Sequence, residues 1–260
     1  MGIAVSLEAA RFLVILGSLA VAPVFGVAGW YLGLFVNVCC VLYGIAAISV
    51  LGLWKQERVL RVKASWRALL WMLPLLLEGT LRFAFGTVSV PPPGLALWIV
   101  TLALAALNEE LVNRAAIVGT LRRALRPVTV ATISATLFGF AHLSLFITTP
   151  TRDPVDILLN VVASACFGFA LAAYQVLYRW ILPLVVAHGF ANASVILGGG
   201  ELSTLGEGLI SVAYVAFGVL LFAFGRPHHK ASHGVRQLDL IPASSGRLLK
   251  TDEADVSGRG

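Results

Sequence analysis

The sequence predicts an all-α, polytopic transmembrane bundle of about eight helices. Three observations carry that reading. Of the 260 residues 58% are hydrophobic and only 12% charged, a balance that a bilayer demands and a water-soluble globule does not tolerate. Apolar runs of roughly 20 residues, enough at about 1.5 Å per residue to cross a hydrocarbon core, recur along almost the whole chain. Lysine and arginine gather in alternate connections between those runs.

The first run covers 8–26. It is separated from the second, 29–54, because proline and glycine between Pro23 and Ala28 interrupt a stretch with no carboxylate or base from Phe12 to Trp54. The remaining runs are 67–88, 95–121, 128–148, 155–178, 180–198 and 208–225. With eight spans, the cationic connections share one side: Lys55, Arg58, Arg61, Lys63 and Arg67; then Arg122, Arg123 and Arg126; then Arg179; then Arg226 and Lys230. The opposite connections hold Pro91-Pro92-Pro93-Gly94, Arg152 with Asp153, and Glu201 with Glu207. Basic loops mark the cytoplasm, so both termini are expected there, in a multi-pass protein of the cell (inner or plasma) membrane. The formal charge of +6 follows from these flanks and indicates no nucleic-acid partner.

Ala20-Val21-Ala22 has the form of a signal-cleavage site, yet Pro23 follows it and no cationic run precedes the apolar segment, so the first run is expected to be retained. The start Met1-Gly2-Ile3-Ala4-Val5-Ser6 fits the myristoylation pattern, but a lipid adds little to a chain anchored by several spans. Cys39, Cys40 and Cys166 lie in apolar runs without metal-ligand spacing and read as packing residues. The bundle is expected over 1–225. Residues 226–260 turn polar and read as a disordered cytoplasmic tail, with His228, His229 and His233 as a solvated cluster. No internal repeat is visible.

Ionisable groups inside lipid cost roughly 2.5–3.5 kcal/mol on insertion scales, so each needs a partner or a purpose. Glu78 and Arg82 are spaced i, i+4 and can neutralise each other on one helical face. Glu110 and Arg114 repeat that spacing and read as a structural ion pair. Glu109, turned about 100° from Glu110, is left without a local partner. Counted from the basic ends, Glu109 lies about 20 Å deep, His142 about 22 Å, Asn192 about 20 Å and His188 about 14 Å. Singly, a buried histidine often bonds a backbone carbonyl, and an asparagine often joins two helices. An acid, two imidazoles and an amide in one slab point instead to a site.

The motifs there are Glu109-Glu110-Leu111-Val112-Asn113-Arg114 (EExxxR), Phe138-Gly139-Phe140-Ala141-His142 (FxxxH) and His188-Gly189-Phe190-Ala191-Asn192 (HxxxN). Each is weak alone; three in this order on separate spans, supported by Phe138, are fairly specific. Over about 104–197 the chain resembles the CPBP family, the CAAX-protease and bacteriocin-processing (Abi) membrane proteins. The resemblance implies an intramembrane endopeptidase related to the type II enzymes that cleave the C-terminal tripeptide from prenylated CaaX proteins. It also implies that Glu109 and His142 activate water and that His188 and Asn192 stabilise the oxyanion. Other members are implicated in bacteriocin maturation or self-immunity, so no substrate is named beyond a peptide or membrane-associated protein.

The residue types suit that chemistry: peptide hydrolysis needs a base for water and fixed donors where charge develops on the carbonyl oxygen. No cofactor is expected. Zinc is the chemical rival, since Glu109, His142 and His188 make a two-histidine, one-carboxylate set, although there is no HExxH motif and Glu110 is committed to Arg114. Neither a GxSxG motif nor an aspartate deep in a span supports a serine or aspartyl route. Two other classes fit the same residues: a proton- or ion-coupled transporter, and a non-proteolytic immunity or partner-binding protein of the same fold.

Overall fold

A computed structural model of the chain describes residues 1–63, 65–199 and 202–225. The tail at 226–260, with its three histidines, lies outside the described residues. Helix accounts for 79% of the described residues, and there is no strand among them.

Seven helices are long and apolar enough to span a membrane: α1 (Gly2–Phe25), α2 (Tyr31–Val50), α3 (Trp66–Phe85), α4 (Leu95–Leu121), α5 (Pro127–Thr148), α6 (Pro154–Tyr178) and α8 (Thr204–Phe224). The shorter α7 (Ile181–Leu197) completes the eight. Helix boundaries follow local chemistry. Gly26 and Gly29, both with positive φ, make the turn after the short 3₁₀ stretch Ala22–Phe25 that ends α1. The side chains of Ser65, Asp153 and Ser203 cap α3, α6 and α8 by accepting hydrogen bonds from the backbone N–H groups of Ala68, Val155 and Gly206. Pro127 and Pro154 sit in the first turns of α5 and α6, where a missing N–H costs nothing.

One boundary differs from the sequence reading with consequences for the site. The first helix starts at Gly2, six residues before the expected edge, and so carries Glu8 and Arg11 into the bundle. The last helix likewise starts at Thr204, which puts Glu207 in its first turn.

α6 runs through the middle, packed along α5 on one side and α8 on the other, while α7 lies against α4 and α3. Two glycines allow α5 and α6 to approach closely. A Cβ at Gly139 would come within 2.7 Å of the Val161 carbonyl oxygen, and one at Gly168 within 2.8 Å of the Phe138 ring. Side chains there would force α5 and α6 apart.

At one end of the bundle the basic connections are tied together. Glu57, fully buried, receives Arg122 Nη1 at 3.1 Å and Gln175 Nε2 at 3.4 Å. The Arg61 guanidinium donates to the Tyr178 carbonyl, and Trp180 Nε1–H donates back to the Arg61 carbonyl at 2.7 Å. The cationic connections therefore share one face, as the eight-span reading requires. Backbone bonds join the opposite connections: Ser89 N–H donates to the Leu197 carbonyl and Gly199 N–H to that of Thr87.

Candidate active site

Helix α4 delivers both glutamates from an unusual piece of backbone. It is α-helical over Leu95–Glu110, then π-helical over Leu111–Ile117, and every residue of the π stretch is buried. Such wide turns cost hydrogen-bond geometry and concentrate at functional sites. Here the widening follows directly on Glu109 and Glu110.

Glu110 and Arg114 form the expected pair, Nε to Oε2 at 3.4 Å, with both side chains fully buried. The pair has further supports. The Arg114 guanidinium lies 4.3 Å from the centre of the Phe138 ring, and its Nη2 donates to the Gly168 carbonyl at 3.4 Å. Phe138, buried between these groups, meets His142 and His188 edge-on at centroid distances of 5.1 and 5.7 Å. One aromatic ring thus fixes the guanidinium and both imidazoles.

Glu109 is not without a partner, and the sequence expectation is corrected on this point. Arg11, reaching across from α1, donates from Nη2 to Glu109 Oε1 at 2.9 Å. Its other donors go to Glu8 Oε1 at 2.9 Å and Asn108 Oδ1 at 3.1 Å, and Asn108 in turn donates to Asn37 Oδ1 of α2 at 2.7 Å. Sequence reasoning missed this residue because it stood at the supposed edge of the first span. The signal was there: Glu8 and Arg11 sit at i, i+3 in an otherwise apolar helix.

His188, 4% exposed, lies between the two glutamates. Its Nδ1 is 2.8 Å from Glu110 Oε1 and its Nε2 is 3.3 Å from Glu109 Oε2. A neutral imidazole has one N–H, so serving both oxygens takes one further proton, on the ring or on a carboxyl group. The His142 geometry fixes a different state. Its Nδ1 is 2.9 Å from the Phe138 carbonyl oxygen, which can only accept. The proton therefore sits on Nδ1, and a neutral His142 keeps an open lone pair on Nε2. Asn192 stands one turn beyond His188 on α7, and its amide makes no side-chain hydrogen bond among the described residues.

The structure brings Glu109, His142, His188 and Asn192 to the wall of one cavity of about 600 Å³, with Phe138 between them. Glu78 and Arg82 line it further out, paired at 3.1 Å as the sequence suggests, with Glu207 as a second partner for Arg82 at 3.2 Å. Glu109 and His142 also line a second cavity, of about 440 Å³, between α1, α2 and the end of α5. Cys40 is buried, Cys39 and Cys166 are half-buried, and all three are free thiols.

Among the described residues no group of three His, Cys, Asp or Glu side chains is placed to hold a metal ion. Glu109, His142 and His188 converge, with both His188 nitrogens facing carboxylates and His142 Nδ1 held by backbone.

The helical bundle gathers an acid, two imidazoles and an amide on the wall of one polar cavity, residue types of the kind that peptide hydrolysis uses. Residues 91–194, which span α4 to most of α7, match the family model described as type II CAAX prenyl endopeptidase Rce1-like. The match supports a likeness of this segment to the CPBP/CAAX proteases. No curated protein and no solved structure matches the chain.

Proposed function

We propose that the chain is an intramembrane endopeptidase that hydrolyses a peptide bond with a water molecule activated by Glu109 and His142. The observation that carries this reading is the meeting of Glu109, His142, His188 and Asn192 on one cavity, inside the segment that matches the endopeptidase family.

In the proposed reaction, water sits between the Glu109 carboxylate and the open Nε2 of His142. Glu109 takes one proton as the oxygen attacks the scissile carbonyl. The negative oxygen that forms is received by the Asn192 amide and by His188 Nε2–H, which exchanges its 3.3 Å contact with Glu109 for the substrate. That contact is the looser of the two His188 makes; the 2.8 Å bond to Glu110 holds the ring in place. Collapse of the tetrahedral intermediate breaks the C–N bond. The proton passes from Glu109, directly or through His142, to the leaving amine, so that water is divided between the new carboxyl and amino ends.

Arg11 fixes the Oε1 side of Glu109 and leaves Oε2 toward the cavity. The Glu110–Arg114 pair acts through His188 and Phe138, and its task is positioning.

The test is cleavage of candidate peptides by purified protein in detergent or proteoliposomes. Glu109→Gln is expected to lose about 10²–10⁴-fold in rate while eluting and unfolding like the unaltered chain. Retained cleavage would overturn the proposal. A chelator distinguishes the zinc route: activity that persists in it supports metal-free water activation, and activity lost and restored by zinc would assign Glu109, His142 and His188 to a metal.

A further inference from the structure

Both cavities lie toward the same end of the bundle. The larger one is walled at its outer rim by Arg152, Asp156 and Thr204, all exposed, and by Glu207, at the starts of α6 and α8. It reaches inward to Glu109 and His188, near the midpoints of α4 and α7. The second cavity is bounded by Leu32, Val36 and Thr148, again from the ends of α2 and α5 on that side. No residue of 51–63, 118–126 or 176–182, the connections and helix ends at the opposite face, lines either cavity.

That opposite face is cationic. Among the described residues its connections carry Lys55, Arg58, Arg61, Lys63, Arg122, Arg123, Arg126 and Arg179 against a single acid, Glu57. Glu57 is itself fully buried and seals the floor with Arg122 and Gln175. Between that network and the glutamates stands a plug of buried residues, Val112, Ala116, Ile117 and Val118 among them. Short connections at the open end carry Arg152 as their one base, against Asp153 and Glu201. Such an asymmetry orients a multi-pass protein with the basic face in the cytoplasm.

We propose that the site opens away from the cytoplasm, so that its substrate is a peptide segment presented at the extracytoplasmic surface of the membrane. Such a segment belongs to an exported peptide or to the outer portion of a membrane protein, and not to a cytoplasmic polypeptide. The inference rests on the hydrolytic reading for the nature of the substrate, but its direction comes from charge and cavity placement alone.

Two experiments separate these parts. In intact cells producing the full chain with Cys39, Cys40 and Cys166 replaced by alanine, single cysteines are introduced as Arg152→Cys or Arg123→Cys and treated with a membrane-impermeant maleimide. The expected result is labelling of the Arg152→Cys chain in intact cells and of the Arg123→Cys chain only after permeabilisation. The reverse pattern, labelling of both in intact cells, or labelling at Arg152→Cys only after permeabilisation overturns the proposal. The unaltered chain in sealed vesicles is then given a membrane-impermeant quenched-fluorescent peptide library. Cleavage in right-side-out vesicles, at least tenfold faster than in inverted ones, is expected. Preference for inverted vesicles overturns the proposed direction of access. Correct labelling with no cleavage in either orientation would sink the hydrolytic reading and, with it, the substrate assignment, while leaving the orientation standing.

Discussion

Two Glu-to-Arg pairs at i, i+4 occupy this bundle, and they illustrate how little the spacing itself decides. Glu78 and Arg82 on α3 stand at the outer part of the main cavity, with side chains 21% and 12% exposed, and share Arg82 with Glu207. Glu110 and Arg114 on α4 have the same order and spacing but no exposure at all. The first pair can exchange partners with water. The second is locked by Phe138, Gly168 and His188, so the charge it holds becomes part of the geometry of the site. A buried pair is costly to break because the surviving charge has nowhere to go.

Breaking the deep pair is expected to have the largest effect on this comparison. Arg114→Met strands Glu110 beside His188 and should destabilise the fold by about 3–5 kcal/mol, read as a lowered unfolding midpoint in detergent. Arg114→Met combined with Glu110→Leu, which removes both charges, should recover a large part of that loss of stability without restoring cleavage, because His188 then lacks its anchor.

The pairing of Arg11 with Glu109 sharpens the contrast, since here one partner is placed in the chemistry. Arg11→Met is expected to lower kcat by about 10- to 100-fold through a misplaced carboxylate, with a smaller change in KM. Arg11→Lys, which keeps the charge, should recover part of the rate. A purely structural Arg11 would change stability and leave kcat of the folded protein where it was.

The outer pair should matter least. Arg82→Met is expected to cost no more than about 1 kcal/mol in unfolding experiments, and that cost should shrink further at high salt. A loss as large as that of Arg114→Met would show that exposure does not separate the two pairs.

The fold was readable from sequence because a membrane helix announces itself twice, in the length of its apolar run and in the charges at its ends. The eight expected runs correspond to the eight helices, with α7 the short one. The site was readable to the extent that its members cluster locally: Glu109 beside Glu110, His188 a turn from Asn192, Phe138 a turn from His142. Arg11 lies almost a hundred residues from its partner, and its role depends on where α1 begins. A hydropathy pattern leaves such an edge loose by several residues, enough to move a guanidinium from lipid headgroups to Glu109. Asn37, Asn108 and Glu57 were hidden for the same reason: a polar group that satisfies another across the bundle leaves no periodic mark in the chain.

The wide turns of Leu111–Ile117 give α4 two rotational phases, one for its glutamates and another for the end that reaches the basic face. A helix of uniform pitch could not serve both. Because a wide turn accommodates an extra residue, deleting a single residue there would let the backbone relax to ordinary winding and leave Glu109 and Glu110 close to their present phase relative to the anchored end. Deleting one from the ordinary winding on either side would instead turn them by about 100°, so the wide turns help to set where the two acids face.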